Sequence, residues 1–286
     1  MKRSTTRILT THAGSLPYAD DVAPTSDGEL RRAVADIVAR QRELGLDLIN
    51  EGEYTKGGDW LSFADERFAE VYRANTFYAT DTEYLYALAD ALRVEYELIV
   101  EAGFVLQVDD AWLPALWDRI GIEMGLEAFR ERCRTRVQAL NHALANIPEE
   151  RVRYHMCWGS WHGPHAHDLE LVHLADVLLA VKAQAYLIEG ANARHEHEWA
   201  VWRDVHLPEG KILIPGVVTH STDVVEHPDL VAQRIERFAS VVGAENVIAG
   251  TDCGFGGRTH PQIAWAKLRS LTEGAARASR ALGFGP

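Results

Sequence analysis

From residue 152 onward, short apolar segments alternate with longer amphipathic stretches, and this alternation restricts the fold more than any other feature of the chain. The apolar segments have the length of strands, and the longer stretches carry apolar residues at helical spacing. Strand–helix repeats of this kind form parallel sheets that are buried under helices. We predict strands at 152–159, 185–190, 211–217 and 246–254, each followed by a helix, at 168–184, 195–205, 227–243 and 260–279.

The first half of the chain continues the pattern less regularly. A helix is predicted at 27–45, because Asp27 can cap its start, apolar residues recur at helical spacing, and Gly45 ends it. The other predicted elements are a helix at 83–103, a helical region at about 113–146, and strands at 7–15, 46–53 and 104–110. This succession predicts one domain over 1–286 with the α/β fold of a single (β/α)8 TIM-type barrel.

Two points remain open in this prediction. A doubly wound sheet is the alternative architecture, but the Gly-rich nucleotide-binding loop expected after its first strand is missing. A third strand–helix unit would fall near 62–81, where no apolar strand is visible. The barrel either lacks that unit or a segment is absent from the chain.

Charge and composition narrow the class of partner. The 286 residues carry a net charge of -13, which disfavours nucleic acid and anionic membranes as partners. No apolar run is long enough to span a bilayer, and the start of the chain lacks the apolar core of a signal peptide. Three cysteines are too few for a disulfide scaffold. We therefore expect a soluble, cytoplasmic protein with reduced thiols.

Metal-ligating side chains gather at predicted strand ends, where barrel enzymes carry their active sites. His155 and Cys157 are two residues apart, so they point to the same side of their strand. Glu189 and Cys253 end two further strands. Together these four residues suit a tetrahedral zinc site. The alternative is that Cys157 and Cys253 are buried thiols without a ligand, as free cysteines often are.

The charge of this donor set indicates which chemistry it would support. Two thiolates and a carboxylate would place three negative charges around a Zn²⁺ ion, and so weaken it as a Lewis acid for hydrolysis. Such a site suits the binding and deprotonation of a substrate thiol, whose sulfur then accepts an alkyl group. A purely structural zinc is the alternative, although structural ligands usually lie closer together in the sequence.

Seven segments in order resemble the cobalamin-independent methionine synthase superfamily, specifically its C-terminal catalytic barrel. They are TTHAGSLP, INEGE, LQVDDAWL, YHMCWGS, YLIEGAN, LIPGV and VIAGTDCGFG, and the resemblance runs from about residue 5 to 275 with an interruption at 62–81. The resemblance implies a zinc-dependent enzyme that transfers a methyl group to homocysteine. It assigns the zinc ligands to the same four residues, His155, Cys157, Glu189 and Cys253.

The resemblance also implies roles for four other residues. Ser15, Glu53 and Asp109 correspond to the positions that hold the amino acid head of homocysteine. Asp109 is accordingly expected to take part in catalysis as well as in substrate binding. His220 lies near the family's proton-donating histidine, although one residue out of register, and a solvent-facing loop histidine is the alternative.

Two departures from the family leave other functions open. The N-terminal half-barrel of the long synthases is missing, and the segments after Cys157 and Glu189 look more like short relatives, including epoxyalkane:coenzyme M transferases. Coenzyme M carries a sulfonate, which would favour Arg194 or Lys56 over two carboxylates. The alkyl donor is accordingly a folate, a methylated corrinoid or an epoxide. A non-catalytic zinc- or thiol-binding relative is the third possibility.

The remaining cysteine and histidines receive supporting roles. Cys133, in a charged helix, is expected to be a structural or surface thiol. Five further histidines are expected to line the barrel mouth or orient ligands, rather than to form a second metal site; they are His162, His165, His167, His195 and His197.

Overall fold

Six parallel strands form the centre of the protein. The structure, a computed structural model, describes residues 1–19, 22–56, 75–110, 113–159 and 165–285. Hydrogen bonding places the strands in the order β1-β6-β5-β4-β3-β2. From β2 to β6, strands that follow one another in the chain are therefore neighbours in the sheet, as expected for successive strand–helix units. The strands are β1 (Leu9–Thr10), β2 (Leu106–Asp110), β3 (Val152–Met156), β4 (Ala185–Ile188), β5 (Ile212–Val218) and β6 (Ile248–Thr251).

Six α-helices of five residues or more accompany these strands in the described ranges. They are α1 (Asp27–Glu43), α2 (Asp81–Glu101), α3 (Leu126–Ala143), α4 (Ala175–Leu179), α5 (Pro228–Val242) and α6 (Pro261–Ala281). A π-helical turn, Trp117–Gly121, continues into the short α-helix Ile122–Met124. Turns of 3-10 helix occupy Tyr54–Lys56, Glu149–Arg151, Leu171–His173, Glu196–Arg203 and Ala244–Asn246.

The long helices begin where their sequences favour a start. The Ser26 hydroxyl accepts the Glu29 amide at the start of α1, and the Thr80 hydroxyl does the same for α2. Both α5 and α6 open with a proline, whose fixed φ and missing N–H suit the first helical turn. The predicted helices at 27–45, 83–103, 227–243 and 260–279 are confirmed to within a few residues.

The predicted strand at 46–53 is wrong as a regular strand. The Asp47 and Leu48 amides both donate to the Thr10 carbonyl at 3.1 Å, so this segment lies beside β1 without forming a ladder. Gly52 and Glu53 then take positive φ angles of 73° and 60°, which turn the chain away from the sheet. Most of the unit expected near 62–81 falls in 57–74, outside the described residues.

Two predicted helices are also largely wrong. The stretch 168–184 contains the 3-10 turn Leu171–His173 and the short α4, and most of 195–205 forms the 3-10 helix Glu196–Arg203. Leu169 accepts a hydrogen bond from the Trp158 indole on its carbonyl, and the amide of Leu171 donates to the Glu198 carboxylate. The Trp158 bond takes a carbonyl that a continuous helix would use, and the Glu198 carboxylate binds an amide of the first turn from outside the predicted helix.

The inward-facing side chains of the sheet are apolar on some strands and polar on others. On β1, β4, β5 and β6 the inward positions form one apolar cluster, which includes Leu9, Leu187, Ile214 and Ile248. On β3 the positions in register with Ala185 and Leu187 are Arg153 and His155. The inward positions of β2, in register with these two, are Gln107 and Asp109. The polar side of the interior is therefore built by β2 and β3.

Candidate metal and thiol site

Three of the four predicted ligands meet at the carboxyl ends of the strands. Donor atoms of His155, Cys157 and Cys253 all lie within 4.8 Å of one another, and all three side chains are buried. His155 lies on β3, Cys157 follows that strand directly, and Cys253 follows β6. Their meeting follows from the fold, because β3 and β6 are parallel strands of the same sheet and end at the same side.

The two thiols form an asymmetric pair. Their sulfur atoms are 3.9 Å apart, and the Cys157 thiol donates to the Cys253 sulfur. That hydrogen bond lowers the pKa of Cys253 to about 7, against the opposing effect of burial and with help from the nearby His155. The same hydrogen bond, followed by burial, raises the pKa of Cys157 well above its usual value. Of the two sulfurs, Cys253 is therefore the one that favours the thiolate form.

Asp109 holds the imidazole of His155 in place. The Asp109 Oδ1 atom lies 2.6 Å from His155 Nδ1, and the other ring nitrogen lies 3.2 Å from the Asp252 carbonyl oxygen. The imidazole is only 1% exposed, whereas the Asp109 side chain is 48% exposed at the barrel mouth. Burial alone would lower the pKa of His155, but the Asp109 carboxylate outweighs it and raises that pKa to about 9.

Glu189, the fourth predicted ligand, lies beside the cluster without joining it. Its Oε1 accepts the Trp158 amide at 3.0 Å, and its Oε2 accepts from Asn192 at 2.6 Å and Arg194 at 3.0 Å. Burial comes first among the causes that raise the pKa of this carboxyl, and Arg194 opposes the shift. The structure therefore places Glu189 at the correct strand end, with its carboxylate held by three donors.

Asp252 was not among the predicted site residues. Its fully buried carboxylate accepts the amides of Gly190 and Ala191 at 2.7 and 2.9 Å and the side-chain amide of Asn192 at 3.0 Å. These bonds tie the segment after Glu189 to the turn that carries Cys253. The only signal in the sequence was the aspartate next to that cysteine, which the prediction treated as part of the motif.

The predicted substrate residues Ser15 and Glu53 lie at the same end of the barrel. The Ser15 carbonyl accepts the amides of Phe255 and Gly256, which directly follow the Cys253 turn. The Glu53 carboxylate is mostly buried and lies 3.3 Å from the Lys56 ammonium. Burial raises its pKa and the carboxylate of Asp109 adds to the shift, while Lys56 opposes it.

The backbone of Glu53 is in an unfavourable conformation. Its φ of 60° lies in the left-handed region, and it is the one non-glycine residue there among the described residues. Such a conformation costs on the order of 1 kcal/mol and is found most often at functional sites. Gly14 packs against the Glu53 carboxylate so closely that a Cβ atom there would overlap it. Both the backbone angle of Glu53 and the glycine at position 14 are therefore needed for the carboxylate to occupy this position.

His220 follows β5 and is 3% exposed, so the alternative of a solvent-facing loop histidine is wrong. Its neighbour Thr219 donates its amide to the Glu226 carboxylate at 2.7 Å. That bond fixes the start of the loop that carries His220. The proposed proton-donating role of His220 stays a prediction.

The histidine-rich segments supply one residue beside the metal-ligating cluster. His195 is buried, lies 2.8 Å from Glu198 and stacks on the Trp158 ring, which directly follows Cys157. His165 lies 3.0 Å from Asp168, while His167 and His197 are exposed, and His162 lies outside the described residues. Cys133 is a buried structural thiol, and burial raises its pKa to about 11.

Comparison with known proteins identifies the family. A family described as "Cobalamin-independent synthase, Catalytic domain" matches residues 78–277, more than half of the 286 residues. The chain belongs to this family. The predicted resemblance is thereby confirmed, and the family match covers His155, Cys157, Glu189, Cys253 and Asp109.

Two similar proteins allow a comparison of length and fold. A methionine synthase from Methanothermobacter marburgensis is 30% identical over 192 residues, which cover 66% of this chain and 52% of that protein. The chain thus spans about half the length of this relative. The structure of a B12-independent methionine synthase from Shewanella sp. W3-18-1 in complex with selenomethionine matches with a TM-score of 0.74 at 15% identity.

The structural match covers 96% of this chain and 99% of the Shewanella chain, and it confirms the predicted barrel class of the family member. The six-stranded parallel sheet is the described part of that fold. Among the described residues, no helix is both long and apolar enough to cross a bilayer. The coenzyme M and epoxide alternative gains no support from these comparisons.

The pairing of His155 with Asp109 leads to a first prediction for the metal-free protein. We expect the pKa of His155 to be near 9 in the wild type and to fall well below that value in Asp109→Asn, because the variant loses the charge that outweighs burial. Since the folded-state pKa is the higher one, the pair stabilises the metal-free fold below about pH 6.5, and this contribution is lost as pH rises through 9. Titration of the imidazole signals by NMR measures both values. An unchanged His155 pKa in Asp109→Asn would contradict this assignment.

Proposed function

We propose that this protein is a zinc-dependent methyltransferase that methylates the thiol of homocysteine. The observation that carries this proposal is the buried group of His155, Cys157 and Cys253 at the barrel mouth. Two acidic residues lie at the same mouth, as the recognition of an amino acid ammonium requires. Family membership supports the proposal, because the relatives compared above are methionine synthases.

The donor set fits zinc in kind and in spacing. Tetrahedral zinc with zinc–sulfur bonds of about 2.3 Å holds two sulfur ligands roughly 3.8 Å apart. The sulfur atoms of Cys157 and Cys253 are already 3.9 Å apart. An imidazole whose Nδ1 faces a carboxylate, as His155 faces Asp109, is held in the orientation that is typical of metal-bound histidines.

Glu189 remains the proposed fourth ligand. Among the residues that the structure describes, only the Trp158 amide donates a hydrogen bond to its Oε1 atom, and a carboxylate oxygen has two lone pairs. One lone pair is therefore available to a metal without loss of the bonds to Asn192 and Arg194, which use Oε2. The Arg194 contact would also offset part of the negative charge that this ligand adds.

Zinc in this site would accept the substrate sulfur as a ligand and keep it deprotonated and nucleophilic at neutral pH. The residues of the chain position the rest of the substrate. Glu53 and Asp109 would accept the ammonium group, and Ser15 would donate to the carboxylate. Because Glu53 is mostly buried, its charge is screened little by solvent and acts strongly on a bound ammonium.

Homocysteine is favoured over coenzyme M by the charges at the mouth. The two cations suggested for a sulfonate both lie next to carboxylates, which would repel it: Lys56 lies 3.3 Å from Glu53, and Arg194 lies 3.0 Å from Glu189. The selenomethionine complex of the Shewanella relative also contains an amino acid head of this kind. We propose a folate or a methylated corrinoid as methyl donor, with His220 placed to supply a proton to the departing carrier.

Glu53→Gln tests both the substrate and the function. We expect zinc-loaded wild-type protein to bind homocysteine with release of about one proton, because the thiol becomes a thiolate. In Glu53→Gln the affinity for homocysteine should fall about tenfold, the effect of removing one charged hydrogen-bond partner. Isothermal titration in buffers of different ionisation enthalpy measures the affinity and the proton release together.

Controls separate recognition of the amino acid head from damage to the site. Binding of 2-mercaptoethanol, which has no ammonium, should be equal in wild type and Glu53→Gln. Glu51→Gln, two residues away with its carboxylate bonded to Thr55, should bind homocysteine like the wild type. Absence of homocysteine binding by the zinc-loaded wild-type protein would overturn the proposed function.

A further inference from the structure

Arg153 and Gln107 stand out as polar residues that the proposed reaction does not use. They lie side by side on β3 and β2, in register, and both side chains point to the barrel interior. On the neighbouring strands the corresponding interior positions are apolar. A barrel interior is normally filled by apolar side chains, so a buried guanidinium here calls for a specific role.

The two side chains reach across the interior to the loop that follows β1. Arg153 donates to the Thr11 hydroxyl at 2.9 Å and to the His12 carbonyl at 2.6 Å. Gln107 donates to the Ala13 carbonyl and accepts from the Arg153 Nε atom. These side chains thus satisfy consecutive backbone carbonyls that, on a paired strand, would accept from a neighbouring backbone.

The loop held in this way is the one that leads to Ser15, and it also contacts the segment of Glu53. The side-chain amide of Asn50 donates to the Gly14 carbonyl at 3.3 Å, and the amide of Leu16 donates to the Gly52 carbonyl at 3.0 Å. A displacement of residues 11–14 would therefore move both the hydroxyl and the carboxylate that are proposed to hold the substrate head.

We propose that Arg153 and Gln107 are positioning residues that fix the 11–15 loop and thereby set the affinity of the site for an amino acid head. The proposal rests on the proposed function for its consequence, but the hydrogen bonds themselves belong to the thiol-free protein. Arg153 and Gln107 are not expected to touch the substrate. They should act only through Ser15 and Glu53.

Gln107→Glu is the most informative variant. It is nearly isosteric, it keeps an acceptor for Arg153, and it removes the Gln107 donor to the Ala13 carbonyl, which then retains only the longer bond from Arg153 at 3.4 Å. We expect homocysteine affinity to fall about tenfold in Gln107→Glu and in Arg153→Lys, which loses part of the planar donor set. Zinc content and 2-mercaptoethanol affinity should not change. Arg151→Lys is the matched control, because Arg151 directly precedes β3 and donates to the Phe104 carbonyl, away from the 11–15 loop.

Hydrogen exchange provides a readout that does not depend on the substrate. The amides of Thr11 and Ala13 donate to Ala249 and Thr251, so they should be protected in the wild type. In thiol-free Gln107→Glu, exchange in peptides covering 11–16 should be faster by about tenfold, while peptides of β4 and β5 remain unchanged.

The two readouts separate the failure of this inference from the failure of the proposed function. If the wild-type protein does not bind homocysteine, the proposed function fails, and the exchange rates still decide whether the two residues hold the loop. Wild-type exchange at 11–16 in both variants would overturn the inference. Equal losses of affinity for homocysteine and for 2-mercaptoethanol would also overturn it, because they would indicate general damage to the site.

Discussion

Replacement of either Cys157 or Cys253 by serine should abolish stoichiometric zinc binding and lower the rate of methyl transfer at least about 1000-fold. Both sulfurs belong to the buried three-residue group, and a serine hydroxyl is a much weaker zinc ligand than a thiolate. Metal analysis after gel filtration measures the zinc content. Product formation from homocysteine and a methyl donor measures the rate.

The third cysteine provides the control for this experiment. Cys133 is as buried as the other two, but its sulfur lies 4.0 Å from the Leu113 carbonyl and outside the metal-ligating group. Cys133→Ser should therefore keep its zinc and its activity. Full zinc content in both Cys157→Ser and Cys253→Ser would contradict the assignment of the metal site.

Lys267→Met should give the largest loss of stability among single substitutions of charged residues outside the site. The ammonium of Lys267 is completely buried on α6 and lies 2.9 Å from the Glu226 carboxylate. Removing Lys267 leaves the buried Glu226 carboxylate with only the more distant guanidinium of Arg234, 4.0 Å away, and breaking a buried pair in this way costs about 3–5 kcal/mol. Urea unfolding at pH 7 measures the difference in the free energy of unfolding.

Two further variants show whether the broken ion pair between Lys267 and Glu226 causes the loss of stability. In the double variant Lys267→Met/Glu226→Gln, the neutral amide can still accept the Thr219 amide, so we expect a clearly smaller loss than in Lys267→Met. Arg277, on the same helix as Lys267, forms an exposed pair with Asp229 of α5, and Arg277→Met should cost less than about 1 kcal/mol. A double variant as unstable as the single one would contradict this explanation.

Much of the site was predictable from the sequence because parallel strands end on the same side of a barrel. His155, Cys157 and Cys253 were chosen for their ligand chemistry and their positions at strand ends, and the fold brings them together. The long helices were predictable for a similar reason: α1, α2, α5 and α6 have one apolar face and clear starts. Strand ends, apolar helix faces and helix starts can all be recognised from residues that are close together in the sequence.

The remainder depends on contacts between distant residues, which a local pattern does not encode. The Trp158 indole donates to the Leu169 carbonyl, which a continuous helix over 168–184 would use in its own hydrogen bonding. Asp252 was overlooked because its role depends on three donors some 60 residues earlier in the chain. The pairing of Asp109 with His155 became visible only when the register of β2 and β3 was known.

The distance between the two sulfur ligands along the chain has a consequence for the order of events during synthesis. Cys157 and Cys253 are separated by 96 positions, and β4 and β5 with their helices lie between them. A ribosome-bound chain that has exposed the first thiol must add three more strands before the second arrives. If the proposed site binds zinc, high-affinity uptake would therefore coincide with closure of the barrel, and zinc acquisition would report completion of the fold.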